Sequence, residues 1–172
     1  GSTVTLGFNV PQSGYYADEG ADELRACKLA VEHLNGEGDG GMLQTFSSKA
    51  LDGTGILGKK VEYVTGDTQT KPDAARASAR SMIEKDGAIM ITGGSSSGVA
   101  ISVQALCQEI GIIFMASLTH SNDITGKEKK ANGFRHFFNS YMIGAALAPV
   151  LADRYGSDRK VYHLTADYDW DY

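Results

Sequence analysis

The sequence predicts an α/β fold built on a doubly wound parallel sheet. Three observations predict it. Short apolar runs alternate with longer stretches of helical periodicity, the pattern of consecutive β-α-β units. Each of three apolar runs ends in a short polar loop: Val4–Val10 before Pro11-Gln12-Ser13-Gly14-Tyr15-Tyr16, Ala88–Ile91 before Gly93-Gly94-Ser95-Ser96-Ser97-Gly98, and Ile112–Ala116 before Ser117-Leu118-Thr119-His120-Ser121-Asn122. Glycine supplies 21 of the 172 residues, which suits many tight strand–helix turns.

Taken in order, Val4, Leu6, Phe8 and Val10 alternate and read as the first strand. Ala17–Asn35 reads as a helix. Leu24, Cys27, Val31 and Leu34 share one face, Asp18 and Glu19 suit the positive end of the helix dipole, and Asn35-Gly36 supplies a stop. Gly36–Gly58 is rich in glycine and small polar residues and is long for a connection, so it is expected to be an insertion, a mobile loop or a hairpin. Lys60–Thr65 is the second strand, turning at Gly66-Asp67. Pro72 opens a second helix with Ala75, Ala79, Met82 and Ile83 on its apolar face, ended by Asp86-Gly87. Ala88–Thr92 is strand three, Val99–Glu109 is helix three stopping at Gly111, and Ile112–Ala116 is strand four. Phe134–Asn139 is extended. Tyr141–Tyr155 is a helix closed by Gly156 in which Pro149 should introduce a kink, and Val161–Thr165 is a last strand.

Right-handed crossovers and a strand order 2-1-3-4 place the first helix on one face and the next two on the other. Cys27 and Cys107 then lie on opposite sides of the sheet, beyond the roughly 7 Å that a disulfide spans between Cα atoms. Two buried free thiols are expected.

Composition narrows the function. Apolar residues make up 42%, enough for a core, and the net charge of −5 argues against a nucleic-acid partner, which needs a basic footprint. No apolar run reaches membrane-spanning length. Gly1-Ser2 reads as a tag remnant, consistent with removal of an export signal. The histidines His33, His120, His136 and His163 show no paired metal spacing, so no metal or cofactor is expected. His120 reads first as a solvated loop residue and second as a ligand contact, and Lys127–Lys130 as a solvated surface run.

In a parallel sheet all three polar loops lie at the carboxyl edge, where open α/β sheets bind small molecules. They carry hydroxyls and two tyrosines but no lysine or arginine, which suits a small neutral or zwitterionic solute. The Gly-Ser loop has several readings. Gly94-Ser95-Ser96-Ser97-Gly98 matches the G-x-S-x-G string of a hydrolase elbow, with Ser96 as nucleophile, His163 as base and Asp153 as orienter. A phosphate loop needs a lysine where Val99 stands. A tight turn with no ligand is the plainest reading. A ligand clamp is the richest: serine hydroxyls and free N–H groups at a helix N-terminus donate to a carboxylate or amide oxygen, Thr119 adds a hydroxyl, and Tyr15 and Tyr16 wall the site.

Several stretches together resemble the type I periplasmic binding proteins, specifically the branched-chain amino-acid and amide receptors of ABC importers. They are Ser13-Gly14, the helix Ala26–Asn35, Ile56–Glu62, Gly66-Asp67, Gly93–Gly98 and Gly133-Phe134-Arg135. The resemblance implies two α/β lobes closing on a ligand at a hinge, a motion known for this family. It implies a first lobe over 3–139, and a hinge crossing with the start of a second lobe over 140–172. Ser95, Ser96 and Ser97 with Ser117 and Thr119 would hold a carboxylate or amide end. Tyr15 or Tyr16 would line the first lobe, and Trp170 would close over the ligand from the second. The implied protein is not an enzyme. It captures a solute in the periplasm and hands it to a membrane permease; a sensor module on the same fold is the alternative. An incomplete second lobe is expected to self-associate.

Overall fold

The computed structural model describes residues 3–38, 43, 45, 47–51, 54–165 and 167. Five strands form one parallel sheet: β1 (Thr3–Val10), β2 (Lys60–Asp67), β3 (Ala88–Thr92), β4 (Ile113–Ala116) and β5 (Gly133–Arg135), in the order β2-β1-β3-β4-β5. Four helices accompany them: α1 (Ala17–Leu34), α2 (Pro72–Glu84), α3 (Ser97–Ile110) and α4 (Ser140–Tyr155). β1 pairs along its whole length with β2, from Thr3 opposite Lys60 to Val10 opposite Asp67.

The two faces of β1 sort the core. Leu6 and Phe8 pack with Val31 of α1 and Val61 of β2, with Leu24 and Cys27 against them. Gly7 points the other way, where a Cβ would stand 2.4 Å from Ile91 Cδ1. On that side Ala75, Ala79, Met82 and Ile83 of α2 pack with Val99, Val103 and Leu106 of α3 and with Phe114 of β4. This is the expected division of helices between faces, and both cysteines are free. Cys107 is buried as expected, but Cys27 is only half-buried at the margin of the smaller core. Burial pushes the Cys27 thiol up to about 11 and the Cys107 thiol up to about 12, so both stay protonated at neutral pH.

The structure departs from expectation in two further places. The extended stretch after β4 is a genuine fifth strand, but only Gly133–Arg135 pairs, with Phe114–Ala116; residues 136–139 leave the sheet. Val161–Thr165 is not a strand. It is exposed, pairs with no strand among the described residues, and an isolated extended segment gains no ladder hydrogen bonds. Pro149 stands inside α4, which runs to Tyr155 and is followed by Gly156, the helix the sequence led us to expect. The described residues of the 36–58 connection include a 3-10 turn at Lys49–Leu51 and lead into a minimal antiparallel pair, in which Ile56 and Lys59 exchange both backbone hydrogen bonds across a turn at Leu57-Gly58.

Helix α1 is pinned at both ends. A Cβ on Gly20 would stand 1.8 Å from the Pro11 carbonyl oxygen, so only glycine lets the helix lie this close to the end of β1. At the other end Asn35 stops the helix and docks on β2. Its Nδ2 donates to the Val61 carbonyl at 2.8 Å, and its Oδ1 accepts from the Val61 N–H at 2.9 Å. Alanine for glycine normally stabilises a helix interior by about 1 kcal/mol. Here Gly20→Ala should instead destabilise by about 1–3 kcal/mol through overpacking, read as a lower urea midpoint. A neutral or stabilising result would refute the close approach.

Candidate functional site

Strand order reverses between β1 and β3, the switch point at which open α/β sheets form ligand crevices. The loop after β3 reaches it through two glycines with left-handed backbone, φ +113° at Gly93 and +104° at Gly94. A Cβ on Gly93 would stand 2.7 Å from the Asn9 carbonyl oxygen, so the loop passes directly over the end of β1. Ser95 and Ser96 follow, and α3 begins at Ser97.

The centre of this edge is a residue that the sequence reading did not single out. Glu23, on the second turn of α1, is 8% exposed and accepts from Ser95 Oγ at 2.7 Å and Ser117 Oγ at 3.0 Å. The Gly94 backbone also hydrogen-bonds to it. One carboxylate thus joins α1, the β3 loop and the β4 loop. Burial raises its pKa to about 7 with help from the Glu19 charge, against the lowering effect of its three hydrogen bonds. A visible signal existed: Gly20, Glu23, Cys27 and Val31 recur at helical spacing on the packed face, so Glu23 is a charge on an apolar stripe.

The other candidate residues fall into different places. Ser97 is buried and its Oγ accepts the Ser121 N–H at 3.2 Å, clipping the β3 and β4 loops together. Ser96 is half-buried, and its carbonyl accepts the Ala100 N–H in the first turn of α3. Thr119 is fully buried, and its Oγ1 has no hydrogen-bond partner among the described residues. Tyr16 is half-buried at the start of α1, whereas Tyr15 is fully exposed. Trp170 lies outside the described residues.

The loops carry no lysine or arginine, yet a cation supports them. Arg135 at the end of β5 donates from Nη1 to the Thr119 carbonyl at 2.7 Å and from Nη2 to the Ser121 carbonyl at 2.5 Å. His120 is not a solvated histidine. It is half-buried, its ring lies 4.7 Å from that of Phe138 and 5.1 Å from that of Phe137, and burial together with the Arg135 charge holds its pKa below the usual value. The β1 loop is held by Asp67, which accepts from the Gln12 N–H at 2.9 Å and from Ser13 Oγ at 2.6 Å.

A hydrolase triad does not assemble. Ser96 opens α3, while Asp153 and His163 are exposed on and beyond α4, and no hydrogen bond among the described residues joins them. No group of three or more metal-ligating side chains occurs among the described residues, and no described helix is long and apolar enough to cross a membrane.

A family model described as periplasmic binding protein matches residues 3–172. The chain belongs to the periplasmic binding protein family. That family is a solute-binding, non-enzymatic class. The chain is similar to the Leu/Ile/Val-binding protein BraC3 of Rhizobium johnstonii, 27% identical over 122 residues that cover 71% of this chain and 29% of that protein. It is similar also to Leu/Ile/Val-binding protein homolog 3 of Brucella melitensis, 26% identical over 150 residues, 87% of this chain and 35% of that one. It therefore spans about a third of the length of the curated relatives it matches.

Solved periplasmic binding proteins share the fold. A solute-binding protein of an ABC transporter from Rhodopseudomonas palustris BisB5, in complex with 3,4-dihydroxybenzoic acid, aligns at TM-score 0.77 and 21% identity over 98% of this chain and 40% of that one. The branched-chain amino acid substrate-binding protein LivJ of Streptococcus pneumoniae, in complex with isoleucine, aligns at 0.71 and 20% identity over 88% and 38%. The family resemblance and the fold class read from the sequence are borne out.

Glu23 makes stability depend on pH. With its folded pKa at about 7 against 4.5 for the ordinary side chain, the native state holds the extra proton between those values. Stability is therefore greatest below pH 4.5 as far as this group is concerned, and falls as pH rises through about 7. The loss approaches about 3 kcal/mol at most. Glu23→Gln should flatten the decline in denaturation midpoint between pH 5 and pH 8. An unchanged slope in the variant would place the titrating group elsewhere.

Proposed function

We propose that this chain is the first lobe of a periplasmic solute-binding protein of an ABC importer, with the lobe over 3–139 and the crossing to a second lobe over 140–172. Its carboxyl sheet edge holds one end of an amino acid, an amide or a related small carboxylate, which the complete protein passes to a membrane permease. The observation that carries this reading is the meeting of the β3 and β4 loops at the switch point. Half-buried Ser95 and Ser117 hydroxyls stand there, and Thr119 of the same β4 loop is fully buried with its Oγ1 lacking a partner among the described residues. Such a hydroxyl costs about 1–3 kcal/mol while unsatisfied.

The relatives support the solute class. Two are named Leu/Ile/Val-binding proteins, and one fold neighbour holds isoleucine while another holds a dihydroxybenzoic acid. All of these solutes carry a carboxylate on a compact apolar body. Tyr16 borders the same edge, and in this reading Ser96 and Ser97 act through the amides that open α3. Tyr15 and Trp170 are assigned to the mouth of the cleft and to the facing lobe.

A thermal-shift screen against amino acids, their amides and hydroxybenzoic acids tests the reading, since a ligand at 100 times its Kd stabilises by about 2.7 kcal/mol. The Ser95→Ala and Thr119→Ala variants should each weaken binding of a hit by about 1–3 kcal/mol. Unchanged affinity in the double variant would remove the site from these loops.

Helix α4 has an assembly role in the same reading. None of its residues is buried, and Tyr141, Met142, Leu147, Val150 and Leu151 are all exposed. A helix apolar on every side is normally enclosed. Sedimentation of the 172-residue chain should show concentration-dependent self-association that Leu147→Glu with Leu151→Glu abolishes. A monomer at all concentrations would contradict this.

A further inference from the structure

Each serine hydroxyl has one hydrogen to donate and lone pairs to accept with. At this edge the hydrogens of both Ser95 and Ser117 are directed inward, to Glu23 at 2.7 Å and 3.0 Å. A carboxylate accepts only, so while Glu23 is ionised both serines present nothing but lone pairs to the cleft. A ligand carboxylate arriving there meets acceptors, with a buried negative charge one hydroxyl behind them. An amide N–H or an ammonium group meets the partners it needs.

A proton on Glu23 reverses the polarity. The protonated carboxyl donates to one serine, whose own hydrogen is then released to turn towards the ligand, and the opposing charge disappears. We propose that Glu23 is a specificity-determining positioning residue of this site: a ligand carboxylate is received by Ser95 and Ser117 only together with a proton on Glu23, whereas an N–H donor group is received without one. The proton comes from solvent and returns to it on release. The inference rests on the solute-binding reading given above.

The groups around Glu23 are consistent with this exchange. Along α1, Glu19 adds negative charge and opposes ionisation, and Cys27 remains a neutral thiol. β1 and the loop after β3 contribute no titratable side chain. From the β4 loop comes His120, whose pKa is held down by burial and by Arg135. Arg135 itself directs both terminal guanidinium nitrogens to the Thr119 and Ser121 carbonyls. No described ion pair neutralises Glu23. With its pKa at about 7, the proton is accessible at physiological pH.

Isothermal titration of the protein at pH 6 and pH 8 tests the proposal with two matched pairs, 4-hydroxybenzoate with 4-hydroxybenzamide and isovalerate with isovaleramide. The pH 8 titrations are run in phosphate and in Tris, whose ionisation enthalpies differ, and those at pH 6 in phosphate. The carboxylates should bind about tenfold more tightly at pH 6 than at pH 8, following the protonated fraction of Glu23. At pH 8 they should take up close to one proton, read from the buffer dependence of the heat. The amides should show neither effect, and Glu23→Gln should remove both from the carboxylates. If that variant does not fold, the wild-type heats decide alone. Carboxylate binding without proton uptake, or with uptake that survives in Glu23→Gln, overturns the proposal and leaves the solute-binding reading standing. So does binding of the amides alone at both pH values. Failure of all four probes overturns the proposal and counts against the solute-binding reading as well.

Discussion

A carboxylate taken out of water has to be given hydrogen-bond donors, and the carboxyl edge of this sheet is organised around meeting that need for Glu23. Its partners come from three separate parts of the chain: the helix that carries it, the loop after β3 and the loop after β4. The close contact of Gly20 with the Pro11 carbonyl sets how deeply α1 lies, and so where Glu23 stands one turn later. The left-handed backbone at Gly93 and Gly94 brings the β3 loop across the end of β1 to meet it. Each of these local features has its consequence at the same carboxylate.

The rest of the edge is held by bonds from charged side chains to loop backbone and hydroxyl groups. Arg135 binds two backbone carbonyls of the β4 loop, and Asp67 gathers Gln12 and Ser13 of the β1 loop. Ser97 ties the β3 and β4 loops through the Ser121 amide. The charged groups therefore serve as internal braces, and the groups bordering the crevice are hydroxyls, amides and a tyrosine ring. In the solute-binding reading proposed above, a lining of that character orients a small polar end group through directed hydrogen bonds.

The helical layers around the sheet and the last helix are built on different terms. α1, α2 and α3 each bury one face against the sheet, whereas α4 buries none and joins the body through short polar contacts. The Asn139 side chain caps its first turn through the Met142 N–H, and the Ser140 N–H bonds the His120 carbonyl. The helix is thus tied at its base to the β4 loop of the candidate site.

Much of the fold was legible because it rests on short-range pattern and chirality. Alternation in Val4–Val10, the spacing of Ala75, Ala79, Met82 and Ile83, and the stops at Asn35 and Gly111 each specify an element from neighbouring residues alone. Right-handed crossovers then fix which helix covers which face and keep Cys27 from Cys107. β5 was only half legible, since three residues carry too little periodicity, and Val161–Thr165 has strand composition without a strand beside it among the described residues. The edge loops were legible as a candidate site, but their internal arrangement was not. Glu23 lies 72 residues from Ser95 and 94 from Ser117, and Arg135 lies 16 from Thr119 on another strand. The sequence by itself determined the sheet, its flanking layers and the polar character of one edge, because local periodicity and handedness suffice for those. Only the tertiary structure decided which way the hydroxyls point and which carboxyl holds its proton near neutrality, because both depend on burial and on partners brought together from distant parts of the chain.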